Sequence, residues 1–234
     1  MRDSVTTVDA FRYDQFCPLA RAAEILGHRW VLLILRELFL GPQRFSDLRR
    51  RLPGLSSSVL TERMTALEEQ GIAKRRHLPP PAAASVYELT PDGRDLEPAL
   101  IALTRWGARF LLPPSAGDHL EPDWLGMATQ AFARRGPTPM KRFELRPRNG
   151  DIEAVIRVAG GRDGTHPIDD DLPVDACIKA PVMIVMGLMS GTITADAALT
   201  AQDVQFEGDA EALSDLPKLF EMNLERSHAK GNSP

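Results

Sequence analysis

The stretch "RFSDLRRRLPGLSSSVLTERMTALEEQG", Arg44 to Gly71, constrains the fold more than any other part of the chain. Phe45, Leu48 and Leu52 fall on one face of a first helical segment, and arginines fall on the other. Pro53-Gly54 makes a tight turn. A second helix is predicted from about Ser56 to Gln70, closed by Gly71. At 100° per residue, Leu60, Met64 and Leu67 form one apolar seam of that helix. Ser57, Ser58, Thr61, Glu62 and Thr65 occupy the opposite face. Just upstream, "RWVLLILRELFLG" (Arg29 to Gly41) is apolar nearly all round, and such a helix is expected in a domain centre. Gly41-Pro42 stops it. "PLARAAEILG" (Pro18 to Gly27) precedes it as a short helix.

Two helices joined by a short turn with glycine form a helix-turn-helix unit, whose second helix enters the major groove by its N-terminal residues. The first two turns of the second helix are nearly free of acid, and Glu68 and Glu69 lie in its last turn. Ser56 or Ser57 is expected to cap it. The remaining hydroxyls, with Ser58 and Thr61, are small enough to reach phosphates or base edges. Arg63 sits at the edge of the apolar seam, from which it is expected to swing toward a phosphate or a guanine. Arg44, at the start of the first helix, joins this set. On this helix alone, two readings stay open: serines that contact DNA, or serines that only cap beside a solvated Arg63.

"IAKRRHL" and "SVYELT" read as two short strands linked by the proline-rich "LPPPAAAS". A hairpin after the second helix is a wing. Lys74, Arg75 and Arg76 on it would lie along a phosphate backbone. Thr90-Pro91 opens a further helix, Asp92 to Leu111, with Leu96, Leu100, Leu103, Trp106 and Phe110 along one stripe. That stripe is expected to serve partly as core and partly as a dimer seam, because a pair of such domains reads two half-sites.

The remaining bounds come from composition. The 234 residues are enough for two domains, and 43% apolar with 26% charged residues is an ordinary globular balance. Residues 1–112 hold 16 basic and 13 acidic side chains, and residues 113–234 hold 12 and 19. A basic half approaches phosphates and an acidic half is repelled by them. The break falls at "FLLPPSAGDHLEPDW", which predicts a DNA-binding and dimerisation domain over 1–112, a linker over 113–124, a second domain over 125–226 and a tail over 227–234. No apolar run approaches the roughly 20 residues of a membrane helix. The start "MRDSVTTVDAFRYDQF" lacks the apolar core of a secretory signal. Cys17 and Cys177 do not make a disulfide framework. Together these lead to an expected cytoplasmic protein without membrane contact.

In the second half, "MKRFELRPRNGDIEAVIRVAGG" alternates like two strands around a "PRNGD" turn, and "VDACIKAP" reads as another strand. "VMIVMGLMSG" is a short apolar helix ending in Gly191. Asp209 is expected to cap a last helix, "AEALSDLPKLFEM", interrupted near Pro217. His166, Asp169, Asp170 and Asp171 are close in sequence, but adjacent acids on a turn point in alternating directions, so a solvated loop is expected there rather than a metal site. There is no glycine-rich phosphate loop, nucleophile elbow or Cys-x-x-Cys. No enzyme activity and no cofactor are expected.

Residues 17–112 resemble the HxlR-type winged helix-turn-helix transcriptional regulators. The Cys-Pro start, "G-x-R-W", "R-F-x-D-L", "L-T-x-R" and "Y-E-L-T-x-x-G" occur in order. The resemblance implies a winged α+β fold, a homodimer, double-stranded DNA as partner, and a cysteine position, here Cys17, that some members use to sense oxidants or electrophiles. From the residues themselves an inert Cys17 is the favoured reading, since only Arg12 and Arg21 lie near it in sequence. The second half is similar to the small α+β lipid-binding domain of the sterol carrier protein type-2-like family, through "DACIKAPVMIVMGLMSG" and "F-E-G-D-x-E-A-L". That resemblance implies an apolar cavity for a small hydrophobic ligand, with Met183, Met186 and Met189 as lining candidates; a methionine stripe that is simply core is the other reading. The expected whole is a dimeric, sequence-specific regulator modulated through its second domain. The rivals are a hydrophobic-ligand carrier that keeps the winged domain for dimerisation, and a thiol sensor acting through Cys17.

Overall fold

A computed structural model describes residues 12–81, 83–111, 115 and 117–222. The predicted tail, and Pro113-Pro114 of the predicted linker, lie outside them. The chain forms two compact units, Met1–Glu97 and Pro98–Pro234.

In the first unit, α1 (Pro18–Leu26) opens after Cys17, with Pro18 at its first position, where a missing N–H costs nothing. α2 (Val31–Phe39) buries Val31, Ile34, Leu35 and Leu38. It is not enclosed all round as its composition predicts, because Leu32 and Leu33 remain exposed. Its one acid on the inner face, Glu37, is fully buried against Arg36 and Arg51. α3 (Phe45–Arg51) and α4 (Ser57–Glu69) follow, and Leu48, Leu52, Leu55, Leu60, Met64 and Leu67 close the core around α2. At the turn between them Gly54 adopts φ +88°, a conformation that favours glycine, and faces the Trp30 ring.

β1 (Ala73–His77) and β2 (Ser85–Leu89) form the predicted antiparallel hairpin, and Gln43 bridges to Tyr87 as a third short partner. α5 (Pro91–Arg94) is capped by Thr90, whose hydroxyl accepts from Gly93 N at 3.1 Å and lies 2.5 Å from the Gly71 carbonyl. A Cβ on Gly93 would sit 2.1 Å from the Ile72 carbonyl oxygen. These contacts give "L-T-x-x-G" its physical meaning: the threonine caps, and the glycine lets the helix start press against the strand entry.

The predicted helix Asp92–Leu111 is broken. α5 ends at Arg94 and α6 (Glu97–Gly107) begins separately, followed by a 3-10 turn at Ala108–Phe110. The units therefore divide earlier than the compositional break, because Ile101 and Ala108 pack against the core of the second unit.

That second unit is a six-stranded mixed sheet with its helices packed on the core. β3 (Arg142–Asn149) pairs antiparallel with β5 (Ile156–Ala159) and parallel with β7 (Ala176–Pro181). β4 (Ile152–Glu153) closes the hairpin on β3, and β6 (His166–Pro167) and β8 (Gln205–Gly208) are the edges of the order β6-β5-β3-β7-β8. One face of β3 and β7 buries Phe143, Leu145, Ile178 and Ala180. α7 (Leu125–Ala131), α8 (Val182–Ser190), α9 (Ala195–Leu199) and α10 (Ala210–Leu213) contribute Leu125, Val185, Leu188, Ala198 and Leu213 to the same core. The last predicted helix ends at Leu213, and Pro217 lies in a separate 3-10 turn, Leu216–Leu219. Asp209 accepts from Glu211 N at 2.9 Å as the expected cap. Gly208 just before it has φ +107°, and a Cβ there would meet the Asp175 carbonyl oxygen at 2.3 Å. Among the described residues no helix is long and apolar enough to cross a membrane.

Candidate nucleic-acid interface

The interface candidate is built from the second helix outward. Ser56 is the N-cap of α4; its hydroxyl accepts from Val59 N at 3.3 Å and lies 3.1 Å from that of Ser58. Ser57, Ser58, Thr61 and Thr65 are exposed, and no acid lies in the first turn. Thr61 donates to the Ser57 carbonyl at 2.9 Å, which leaves its oxygen lone pairs outward. The helix start thus presents a strip of small hydroxyls, as the spacing predicts.

Arg63 does not join that strip. Its side chain is only 18% exposed. Three residues after Leu60 and four before Leu67, it lies along the buried seam. It lines a small pocket with Glu24, Ile25 and His28 from the α1 side and with Ala66 and Gln70 from α4. One guanidinium nitrogen reaches Glu62 at 2.9 Å. In the DNA-free chain this packing holds Arg63 beside α1 rather than toward the strip. Arg44 is exposed at the N-cap of α3.

On the wing, Lys74, Arg75 and Arg76 are all exposed. Alternation splits them between two faces. Lys74 and Arg76 share a face, where both meet Glu88, at 3.3 and 2.7 Å. Arg75 lies on the other face, its guanidinium 5.8 Å from the centre of the Tyr87 ring. Glu88, which faces both Lys74 and Arg76, is the wing residue that sequence reasoning passes over. Its signal is the strand register, in which it stands opposite Lys74, and the long proline-rich tip conceals that register.

Residues 25–114 match the family model described as HxlR-like helix-turn-helix. The HTH-type transcriptional regulator YvaP of Bacillus subtilis is 39% identical over 100 residues, which is 42% of this chain and 93% of that protein. The regulator sll1512 of Synechocystis is 38% identical over 101 residues, 43% of this chain and 75% of its own length. The chain belongs to the HxlR-like helix-turn-helix family. Its N-terminal unit is the DNA-binding helix-turn-helix of a transcriptional regulator. The solved reduced form of YodB from B. subtilis is 32% identical, with a TM-score of 0.37, and is covered in full by 43% of this chain.

The HxlR-like match ends at 114, so the larger part of the second unit lies beyond it. There the three methionines of α8 diverge. Met183 is 46% exposed, Met186 packs at the edge of the core, and Met189 is 1% exposed inside it. Met183 borders an open pocket of about 300 Å3, together with Arg148, Asn149, Gly150, Pro181, Val182 and Asp203. Cys17 is half-buried at the N-cap of α1. The arginines nearest in sequence are engaged elsewhere, Arg12 by Asp14 and Arg21 by Glu24. In the acidic turn, Asp170 accepts from Arg142 and from Leu172 N.

Proposed function

We propose that this HxlR-like regulator binds operator duplex as a homodimer, with α4 in the major groove and the wing on the phosphate backbone. The exposed hydroxyls of Ser57, Ser58 and Thr61, on a helix with no acid in its first turn, carry this reading. Small hydroxyls let the helix approach base edges closely; Thr61, whose proton is donated to the Ser57 carbonyl, offers an acceptor. Arg44, Lys74, Arg75 and Arg76 supply the sequence-independent attraction, and Ser56 holds the helix start in place. Dimerisation is supported by α6 and the 3-10 turn after it, where Leu103, Trp106 and Phe110 are exposed along one stripe and the two rings meet edge to face at 5.1 Å. Large apolar side chains in such a row are covered by a partner more often than left in water.

The C-terminal unit serves, in the same proposal, as a sterol-carrier-like module for a small hydrophobic ligand. Met183 at the open pocket and Met186 at the core edge are the adaptable lining. Occupancy regulates DNA binding only insofar as the ligand prefers one dimer arrangement.

The test is binding to the duplex directly upstream of the protein's own gene, against a scrambled competitor, across a salt series. Preference for the upstream duplex with a steep negative salt slope is expected. Equal affinity for both duplexes would end the operator reading.

A further inference from the structure

The hydroxyl strip and the wing differ in one respect. The first turn of the strip carries no acid, while the wing carries its own anion. Glu88 is 15% exposed and lies beneath two half-exposed cations. One of its oxygens meets Lys74 Nζ at 3.3 Å and the other accepts from Arg76 Nε at 2.7 Å. Both lone-pair directions that a phosphate would offer these cations are already supplied by a carboxylate. Arg75 and His77 point to the opposite face of the hairpin, where Arg75 stands over Tyr87 and His77 lies 3.4 Å from the Ser85 hydroxyl.

We infer that Glu88 is a built-in phosphate surrogate: it holds Lys74 and Arg76 in place on the free wing and competes with the DNA backbone for them, so that it lowers affinity for duplex of any sequence. This inference rests on the DNA-binding reading above. Affinity for any duplex follows the number of phosphates a protein neutralises, and each carries a salt slope of about −0.9. A wing whose two cations share one carboxylate contributes roughly one phosphate neutralised where two are available. Sequence is read by α4, which the wing charge does not touch. Reduced wing affinity therefore weakens operator and non-operator binding by a similar factor and leaves their ratio unchanged. Glu88 is a positioning residue that sets overall affinity rather than a DNA contact.

The experiment compares the full-length protein with Glu88→Gln on a random-sequence duplex, by fluorescence anisotropy over a salt series. The amide keeps the shape of the side chain and removes its charge. At about 0.1 M salt the variant is expected to bind on the order of fivefold to tenfold tighter per wing, with a salt slope steeper by about one per wing. The same substitution in a Lys74→Gln/Arg76→Gln background is expected to change nothing. Wild-type binding with no gain in Glu88→Gln, or weaker binding by it, overturns the inference. A gain that persists without Lys74 and Arg76 overturns it as well, because the carboxylate would then act on other cations. If neither wild type nor variant binds the duplex at low salt, the DNA-binding reading itself fails. Matching thermal unfolding of wild type and Glu88→Gln confirms that a folded wing is being compared.

Discussion

Arg51 Nε lies 2.5 Å from Glu37 Oε2, and the pair ties α3 to α2 inside the core of the N-terminal unit. Glu37 is fully buried, and Arg36 shares it from the solvent side at 2.6 Å. A buried carboxylate is tolerable only while cations and donors surround it. The pair fixes where the first helix of the helix-turn-helix meets the central helix.

Arg51→Met is therefore expected to destabilise the unit by about 3 kcal/mol, because it strips a fully buried charge of its inner partner. Glu37→Met/Arg51→Met removes both charges and is expected to recover most of that loss. The chain has three tryptophans. Replacing Trp106 and Trp124 by phenylalanine leaves Trp30 to report urea unfolding of this unit. A double variant no more stable than Arg51→Met alone would contradict the assignment.

Arg63 and Thr61 are two residues apart on α4 and are expected to fail differently. Thr61 is exposed on the hydroxyl strip, and Arg63 is packed beside Glu24, Ile25 and His28. Thr61→Ala should weaken binding to the upstream duplex by about 1 kcal/mol and leave unfolding unchanged. Arg63→Ala should lower the unfolding midpoint and leave the salt slope of DNA binding unaltered. A salt slope reduced by about one in Arg63→Ala would show that this side chain reaches a phosphate after all.

The same pair shows how much of the interface was legible in the sequence. Periodicity placed both helices, the turn and the hydroxyl strip, since these follow from 100° per residue and from turn chemistry. It set Arg63 at the edge of the seam, but which way an edge residue turns depends on α1, which local spacing does not report. The register of Lys74, Arg76 and Glu88 was hidden for a similar reason, since the length of the hairpin tip sets it. The methionines of α8 fail by arithmetic: steps of three residues rotate by 60° each, so Met183 reaches solvent and Met189 reaches the core. The helical break before α6 has a local signature that the apolar stripe conceals: Pro98 has no N–H to bond the carbonyl of Arg94, where α5 ends.

Cys177 sits on β7 opposite Glu144 of β3, its sulfur 3.6 Å from that carboxylate. Burial raises its thiol above the usual value of 9.0, and Glu144 pushes in the same direction while Arg146 opposes both. The protonated thiol is thus the form present at neutral pH, and the nucleophilic thiolate appears only as pH rises beyond the ordinary range. In a Cys17→Ser background, iodoacetamide labelling should reach half its maximal rate above pH 9, and Glu144→Gln should bring that midpoint down. A midpoint at or below about pH 8 would refute this account of the site.

Trp106 offers the most direct test of assembly. It is 57% exposed on α6, and Leu103 and Phe110 continue the stripe. Leu100, on the same helix, is buried. With Ile101 packed on the core of the C-terminal unit, the helix divides its apolar positions between that core and an outer face. An aspartate at Trp106 leaves the inner packing intact and places a charge where a second copy would press. Sedimentation velocity should find wild type dimeric and Trp106→Asp shifted toward monomer, with the dimer weakened by at least about 2 kcal/mol. The same variant is expected to lose operator affinity while keeping its unfolding midpoint, because two half-sites are then read by separate molecules. A Trp106→Asp protein that stays dimeric would place the dimer contact on another surface.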